Sequence, residues 1–291
     1  MAIGLSVIAI GIARHLDLIV ARCRVVGYGV APCGGLRELG QVYDASTNTQ
    51  MWLTVQLLAV LPFVAGLVLG APLVARELEQ RTALVAWPMA VSRVRWLARR
   101  VLPIALLGSI VLAVPAMAGE ILVRSMYPLL DPATNFEGYG TRGPLLELRF
   151  LLALAISVLV GTLVGRQLPA VLVAGALVVG AGIGLEQLQP LWVEPVEQAA
   201  AQHPIDHVGS QFVRQRYRDA NGGWMRDEDA WALLVTANED QPQTGLPEEV
   251  MFVIPRERYG DVVLRESAAL VAVIGGVSLA LIRLLQRKRP G

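Results

Sequence analysis

The sequence predicts an all-α membrane protein of about six transmembrane helices, and three observations carry that prediction. Apolar residues make up 54% of the 291 positions, and the mean hydropathy is +0.53 although aromatics contribute only 6%. Charged residues stand at 17%, against roughly 25% in soluble chains. Those charges cluster between long apolar runs, the pattern expected where hydrocarbon replaces water around part of a chain. The formal net charge is +1, and the arginine clusters flank apolar runs instead of forming a basic stripe. The expected surrounding is therefore the lipid bilayer, with no nucleic-acid partner.

The first run, residues 1–13, is short, and Arg14, His15 and Asp17 interrupt it before residues 18–21. It reads as a span whose inner end is clipped. A signal peptide is the rival reading, but the run lacks a basic leading segment, and Arg22 before Cys23 is unlike a lipoprotein cleavage box. Runs follow at residues 51–75, 101–119, 145–165, 168–185 and 268–285. About twenty apolar residues cross a bilayer as a helix, so each suffices, some with their flanks.

Basic residues set the expected orientation. Arg76, Arg81, Arg93, Arg95, Arg99 and Arg100 crowd the connection between runs two and three, Arg166 lies between runs four and five, and Arg283, Arg287, Lys288 and Arg289 follow run six. With alternating spans these fall on one side, and short basic loops stay cytoplasmic. Both termini are then cytoplasmic, in what is expected to be a bacterial cytoplasmic membrane. The chain divides into helices one to five over residues 1–186, with an inner coupling loop at 76–100. An extracytoplasmic segment follows at 187–267, then a sixth helix and basic tail at 268–291.

The 187–267 segment is expected to cap the outer mouth of the bundle, with a helix over 198–217 broken at Pro204 and a short amphipathic helix over 228–237. It is too short to count on as an independent domain. Cys23 and Cys33 both precede run two on the same outer side, where an oxidising compartment permits a disulfide. Two unpaired thiols is the plainer alternative, and composition leaves both open.

Several chemistries are missing. The only lysine is Lys288, in the tail, so no GxxxxGK[ST] phosphate loop exists. His15, His203 and His207 are the only histidines, and none lies in mid-span, which removes an intramembrane HExxH site. Pro204 between His203 and His207 spoils a shared helix face, so the pair reads as surface loop and no metal site is expected. No ionisable group lies near the centre of runs two to five. Glu120, Arg149, Glu186 and Glu266 come nearest. They are candidate pathway charges, read first as side chains that reach interfacial water. The pairs Gly66/Gly70, Gly161/Gly165 and Gly180/Gly184 have the spacing that lets helix backbones approach in lipid.

The most specific stretch is residues 75–100, ARELEQRTALVAWPMAVSRVRWLARR. Thr82 can cap a short helix that Pro88 ends, and Ser92 can cap a second helix running into span three. Leu84, Val85 and Trp87 would form an apolar knob flanked by Glu77, Glu79 and Arg81. Such a knob either rests on lipid headgroups or fits a partner's groove, and residue types alone leave both open.

This loop resembles the first cytoplasmic loop of type-2 ABC (ATP-binding cassette) transporter permeases. The resemblance is carried by Ala75, Arg76, Glu77, Leu78, Glu79, Thr82, Ala86, Trp87, Val91, Ser92, Arg93, Arg95, Trp96 and Leu97. Weaker likenesses follow in order at Gly161, Gly165, Arg166, Leu168, Pro169 and Ala170, and at Ile254, Pro255, Arg258, Tyr259 and Glu266. The resemblance implies a permease without enzymatic activity, working with a second permease copy or paralogue. ATP and Mg would be held by a separate ATPase subunit, and the knob would fit a groove on it. Glu77, Glu79, Arg81, Thr82, Leu84, Val85 and Trp87 are then the expected coupling residues. An exported cargo would be amphipathic or hydrophobic. A multipass sensor or anchor, or an outer-surface enzyme acting through residues 187–267, are the alternatives. A secondary carrier fits least, for want of mid-membrane charges.

Overall fold

The structure, a computed structural model, describes residues 1–26, 33, 42, 47–80, 92–199, 209–236 and 247–287. In chain order the helices are α1 (Ala2–Val26), α2 (Asn48–Glu79), α3 (Arg93–Met126), α4 (Gly143–Val164) and α5 (Gln167–Trp192). Then come strands β1 (Val196–Ala199), β2 (Gln211–Arg218) and β3 (Trp224–Met225), the short helix α6 (Asp227–Thr236), strand β4 (Glu248–Ile254) and helix α7 (Tyr259–Arg287). Among the described residues six helices, all but α6, are long and apolar enough to cross a membrane. The chain is thus an all-α membrane protein of six spans with a small sheet inserted before the last.

The charges at positions 14–17 do not end the first helix. Leu5, Ala9, Ile12, Leu16, Val20 and Cys23 are buried, a stripe at helical spacing. Arg14, His15 and Asp17 lie outside it and are exposed. The stripe packs along α3, so one face carries the helix past the interruption that makes its sequence look clipped.

The central seam is α2 against α4, the most extensive helix–helix contact. A Cβ on Gly66 would lie 2.6 Å from the Ala153 side chain and 2.7 Å from the Leu154 backbone nitrogen, and one on Gly161 would lie 2.8 Å from the Ala71 carbonyl. Gly66, Gly70 and Gly161 are therefore the small residues that let the two backbones meet in lipid. Gly165 plays a different part: at φ 66° it ends α4 in the left-handed conformation, as helix C-termini favour. Gly180 and Gly184 meet nothing within 4 Å, so that pair makes no packing contact within the chain.

Ser92 caps α3, its hydroxyl accepting the Arg95 N–H at 3.1 Å. Thr82 and the predicted short helix lie outside the described residues. The last span begins at Tyr259, nine residues before the apolar run at 268, and takes Arg265 and Glu266 into the helix.

The segment between α5 and α7 departs most from expectation. Residues 211–218 form β2, not the end of a helix, in an antiparallel sheet of order β1-β4-β2-β3. Tyr217 is buried, while Arg214, Arg216 and Arg218 alternate with it on the strand. Arg214 lies over the Phe252 ring and Arg216 and Arg218 over Trp224. This is a period of two carrying β-favouring Phe, Val and Tyr. Buried Phe136, Ile254 and Val262 form a small core where this sheet meets the bundle, and the Phe136 N–H donates to the Gly209 carbonyl at 2.8 Å.

The bundle has two unlike ends. The C-terminus of α2, the N-termini of α3 and α5 and the C-terminus of α7 meet at an arginine-rich end. The 127–142 connection, the sheet and a Cys23–Cys33 disulfide lie at the other, where the Val42 N–H donates to the Met126 carbonyl.

Candidate functional site: a coupling junction and a buried polar lattice

At the arginine-rich end, the described flanks of the 80–92 connection are tied into the bundle. Glu77 forms an ion pair with Arg100 of α3, and that guanidinium also lies 4.7 Å from the centre of the Trp96 ring. The Glu79 carboxylate accepts the backbone N–H of Gln167, the first residue of α5, at 2.9 Å. An acceptor there satisfies an orphan donor and suits the helix dipole. Arg93 donates to the Leu285 carbonyl near the end of α7 at 3.4 Å. The two carboxylates expected to flank the knob thus grip neighbouring helices of their own chain. Arg81, Thr82, Leu84, Val85 and Trp87 lie outside the described residues, as do His203 and His207.

At the sheet end, two of the four candidate pathway charges come together. The Arg149 guanidinium donates to Glu266 Oε1 from Nε at 3.2 Å and from its terminal nitrogen at 2.8 Å. The Tyr139 hydroxyl donates to the other carboxylate oxygen at 2.6 Å. Glu266 is 0% exposed and Arg149 6%, so neither reaches interfacial water, and the simplest reading of these charges is corrected. Burial of a charge in this position is tolerable because each is paired and hydrogen-bonded. The pair joins α4 to α7, and Tyr139 brings the 127–142 connection to both.

A second arginine extends the lattice. Arg142 is 2% exposed. It donates to Glu120 of α3 at 3.3 Å and 3.4 Å, to the Asn135 carbonyl, and lies 5.2 Å from the Tyr259 ring centre. Glu120 keeps 45% of its side chain exposed. Phe136, Tyr139 and Tyr259 pack edge to face or tilted around this point. Gly140, at φ 77°, lies directly under the Arg149 guanidinium, where a Cβ would collide with it. Burial pushes the Tyr139 phenol well up, and the neighbouring Glu266 charge adds to the shift. It therefore stays a neutral donor. Glu186 lies on α5.

Sequence reasoning found Arg149 and Glu266 separately but not as a pair. Tyr139, Arg142 and Gly140 escaped it, because a loop tyrosine, arginine and glycine carry no local signal. The partners of Glu266 stand 117 and 127 residues away.

No curated protein and no solved structure matches the chain. The model of the family described as ABC-2 membrane transporter related matches residues 1–189, which runs from α1 through most of α5 and stops before the sheet and α7. With well over half of its length matched and six apolar helices, this chain belongs to the ABC-2 membrane transporter related family and is a membrane permease component.

Proposed function

We propose that the chain is the membrane-spanning subunit of an ABC exporter, driven by ATP that a separate subunit hydrolyses. The observation that carries the coupling half of this reading is the junction at the arginine-rich end. The end of α2, from which the 80–92 connection leaves, is tied by Glu77 to α3 and by Glu79 to α5. A partner that moves the end of α2 therefore moves α3 and α5 with it, and Arg93 passes movement of α3 to the end of α7. Loop residues Arg81, Thr82, Leu84, Val85 and Trp87 make the contact with the ATPase, while Glu77 and Glu79 transmit it. ATP binding must favour one of two packed arrangements through differential contacts at this junction. ATP and Mg belong to the partner subunit, and no covalent chemistry occurs in this chain.

The arginine-rich end faces the cytoplasm on this reading, by the positive-inside preference. The sheet faces the outside, in keeping with a disulfide at that end. Cargo is amphipathic or hydrophobic, moving through a core completed by a second permease copy or paralogue in a bacterial cytoplasmic membrane.

The test is purification of the tagged full chain from its own membrane in mild detergent, with mass spectrometry of what accompanies it. A stoichiometric ATP-binding cassette ATPase is expected, and Trp87→Ala should remove it while Glu79→Ala keeps it bound but lowers cargo-stimulated ATP hydrolysis. A chain that purifies alone sinks the reading, and one accompanied by a receptor-like partner favours a sensor.

A further inference from the structure

At the sheet end, a cavity of about 340 Å³ opens between the start of α2, the end of α3 and the 127–142 connection. Its α2 wall is one helical face, with Asn48, Trp52, Val55, Gln56 and Ala59 at the three- and four-residue spacing that aligns side chains. Gln56 lies inside the apolar run of α2, where a polar side chain turns toward protein or a water-filled cavity. Met126 and Tyr127, the last residue and the C-cap of α3, stand opposite, and Glu137 closes the cavity from the connection.

The connection holds that carboxyl in place. The Glu137 N–H donates to Asn135 Oδ1 at 2.8 Å, and the Thr141 hydroxyl donates to the Gly138 carbonyl at 2.6 Å. Gly138, at φ 65°, lies so close to α3 that a Cβ would stand 2.5 Å from the Val123 side chain. The Tyr127 hydroxyl donates to Glu137, and burial pushes that phenol up, so it stays a neutral donor.

We infer that this cavity binds a small organic ammonium ion, its charged head beside Glu137 and its apolar arm along α2 toward Trp52. Burial disfavours the charge on Glu137, and a cation that enters supplies the partner which offsets that cost. Arg142 acts on Glu137 through its charge but donates its terminal N–H groups to Glu120 and the Asn135 carbonyl. The rings of Trp52, Tyr127 and Tyr139 line the same cavity, and indole and phenol faces attract ammonium groups. Trp52 is 63% exposed, which places the indole at the mouth. The volume falls at the lower end of the roughly 300–1,000 Å³ usual for ligand sites, so the ligand is small. A bare metal ion fits poorly, because it asks for several oxygen ligands and the cavity offers one carboxylate among rings and amides. The inference goes beyond the exporter reading. The site lies at the opposite end of the bundle from the coupling junction, and its occupancy is measured without ATP, a partner or transport.

The test is equilibrium binding of radiolabelled benzyltrimethylammonium to the full chain in a mild neutral detergent, read by scintillation proximity. Saturable binding at one site per chain is expected, displaced by the unlabelled cation but not by benzyl alcohol or phenylacetate, which are neutral and anionic. Glu137→Gln should weaken binding by about tenfold or more, the loss of a charge-assisted contact. Trp52→Leu, at an exposed position, should cost about fivefold and Trp52→Phe less. Ala59→Phe fills the cavity from α2 and should abolish binding, with thermal melting of each variant as the check on folding. Non-saturable uptake, equal displacement by benzyl alcohol, or undiminished binding by Glu137→Gln would each overturn the proposal. So would binding that appears only after residues 43–46, which precede α2 in the sequence, are replaced by glycine, because the cavity would then be that segment's own seat.

Discussion

Glu266 is the residue on which the sheet end turns. Both of its carboxylate oxygens are engaged, one by Arg149 and one by Tyr139. Removing one partner of a buried pair leaves an uncompensated charge and costs about 3–5 kcal/mol. Glu266→Gln is therefore expected to lower the unfolding free energy by about that much, read by denaturant or thermal unfolding in detergent. The combination Arg149→Met, Glu266→Leu and Tyr139→Phe removes every polar member together and should recover most of the loss. If Glu266→Gln alone is neutral, the pair does not hold α4 to α7. Glu137 behaves differently. Burial raises its pKa, with a hydrogen bond from Tyr127 and the charge of Arg142 opposing the shift. A carboxyl whose folded value lies above its unfolded 4.5 binds its proton more tightly in the folded state. That contribution is complete below the unfolded value and is lost as pH rises through the folded one. Wild-type melting temperature should thus fall more than that of Glu137→Gln as pH is raised from 4.5 toward neutrality. A parallel pair of curves would show that Glu137 titrates as it does in water.

At the scale of elements, two glycine pairs of the same spacing separate cleanly. Gly66 on α2 touches the backbone and side chains of α4, whereas Gly180 on α5 meets nothing. Gly66→Leu should overpack the seam and cost about 1–3 kcal/mol, while Gly180→Leu should stay within about 0.5 kcal/mol. Equal effects would mean that α5 is covered by something beyond this chain. The spans were legible because hydrocarbon imposes a single rule, about twenty apolar residues in a helix, and the cap of α3 was legible because Ser92 acts on a residue three positions away. What stayed hidden depends on distance along the chain. The start of α7 at Tyr259 could not be read, since Glu266 looks like an interfacial charge until Arg149 is placed beside it. The same is true of β2. The sequence reads as a helix over 198–217, but each of the strand's three arginines lies over a ring that another strand supplies, Phe252 from β4 or Trp224 from β3. Of the expected coupling residues, Glu77 and Glu79 were marked by the sequence but not their grip on α3 and α5, which is again a contact between distant segments.

For the whole molecule, the asymmetry between its ends is the feature on which the proposed mechanism depends. Arginines of α2, α3 and α7, with Arg166 just before α5, gather at one end, and the disulfide, the polar lattice and the sheet gather at the other. The family match ends within α5, and the sheet that follows lies at the opposite end of the bundle from the α2–α3 junction. On the proposed exporter reading, an element placed there acts on the cargo side and does not touch the ATPase directly. This holds only if the arginine-rich end is cytoplasmic, which the positive-inside preference favours. Trp231 on α6 is 64% exposed and marks the sheet end, while exposed Arg287 at the close of α7 marks the other. In intact cells expressing the chain, a membrane-impermeant maleimide should label Trp231→Cys at once and Arg287→Cys only after permeabilisation. Cys23 and Cys33 should stay silent until reduced, because they are bonded to each other, and should then react from outside. Labelling of Arg287→Cys in intact cells would turn the molecule over. The sheet would then share the cytoplasm with any ATPase, and the junction at residues 77–100 could no longer be where that subunit pushes.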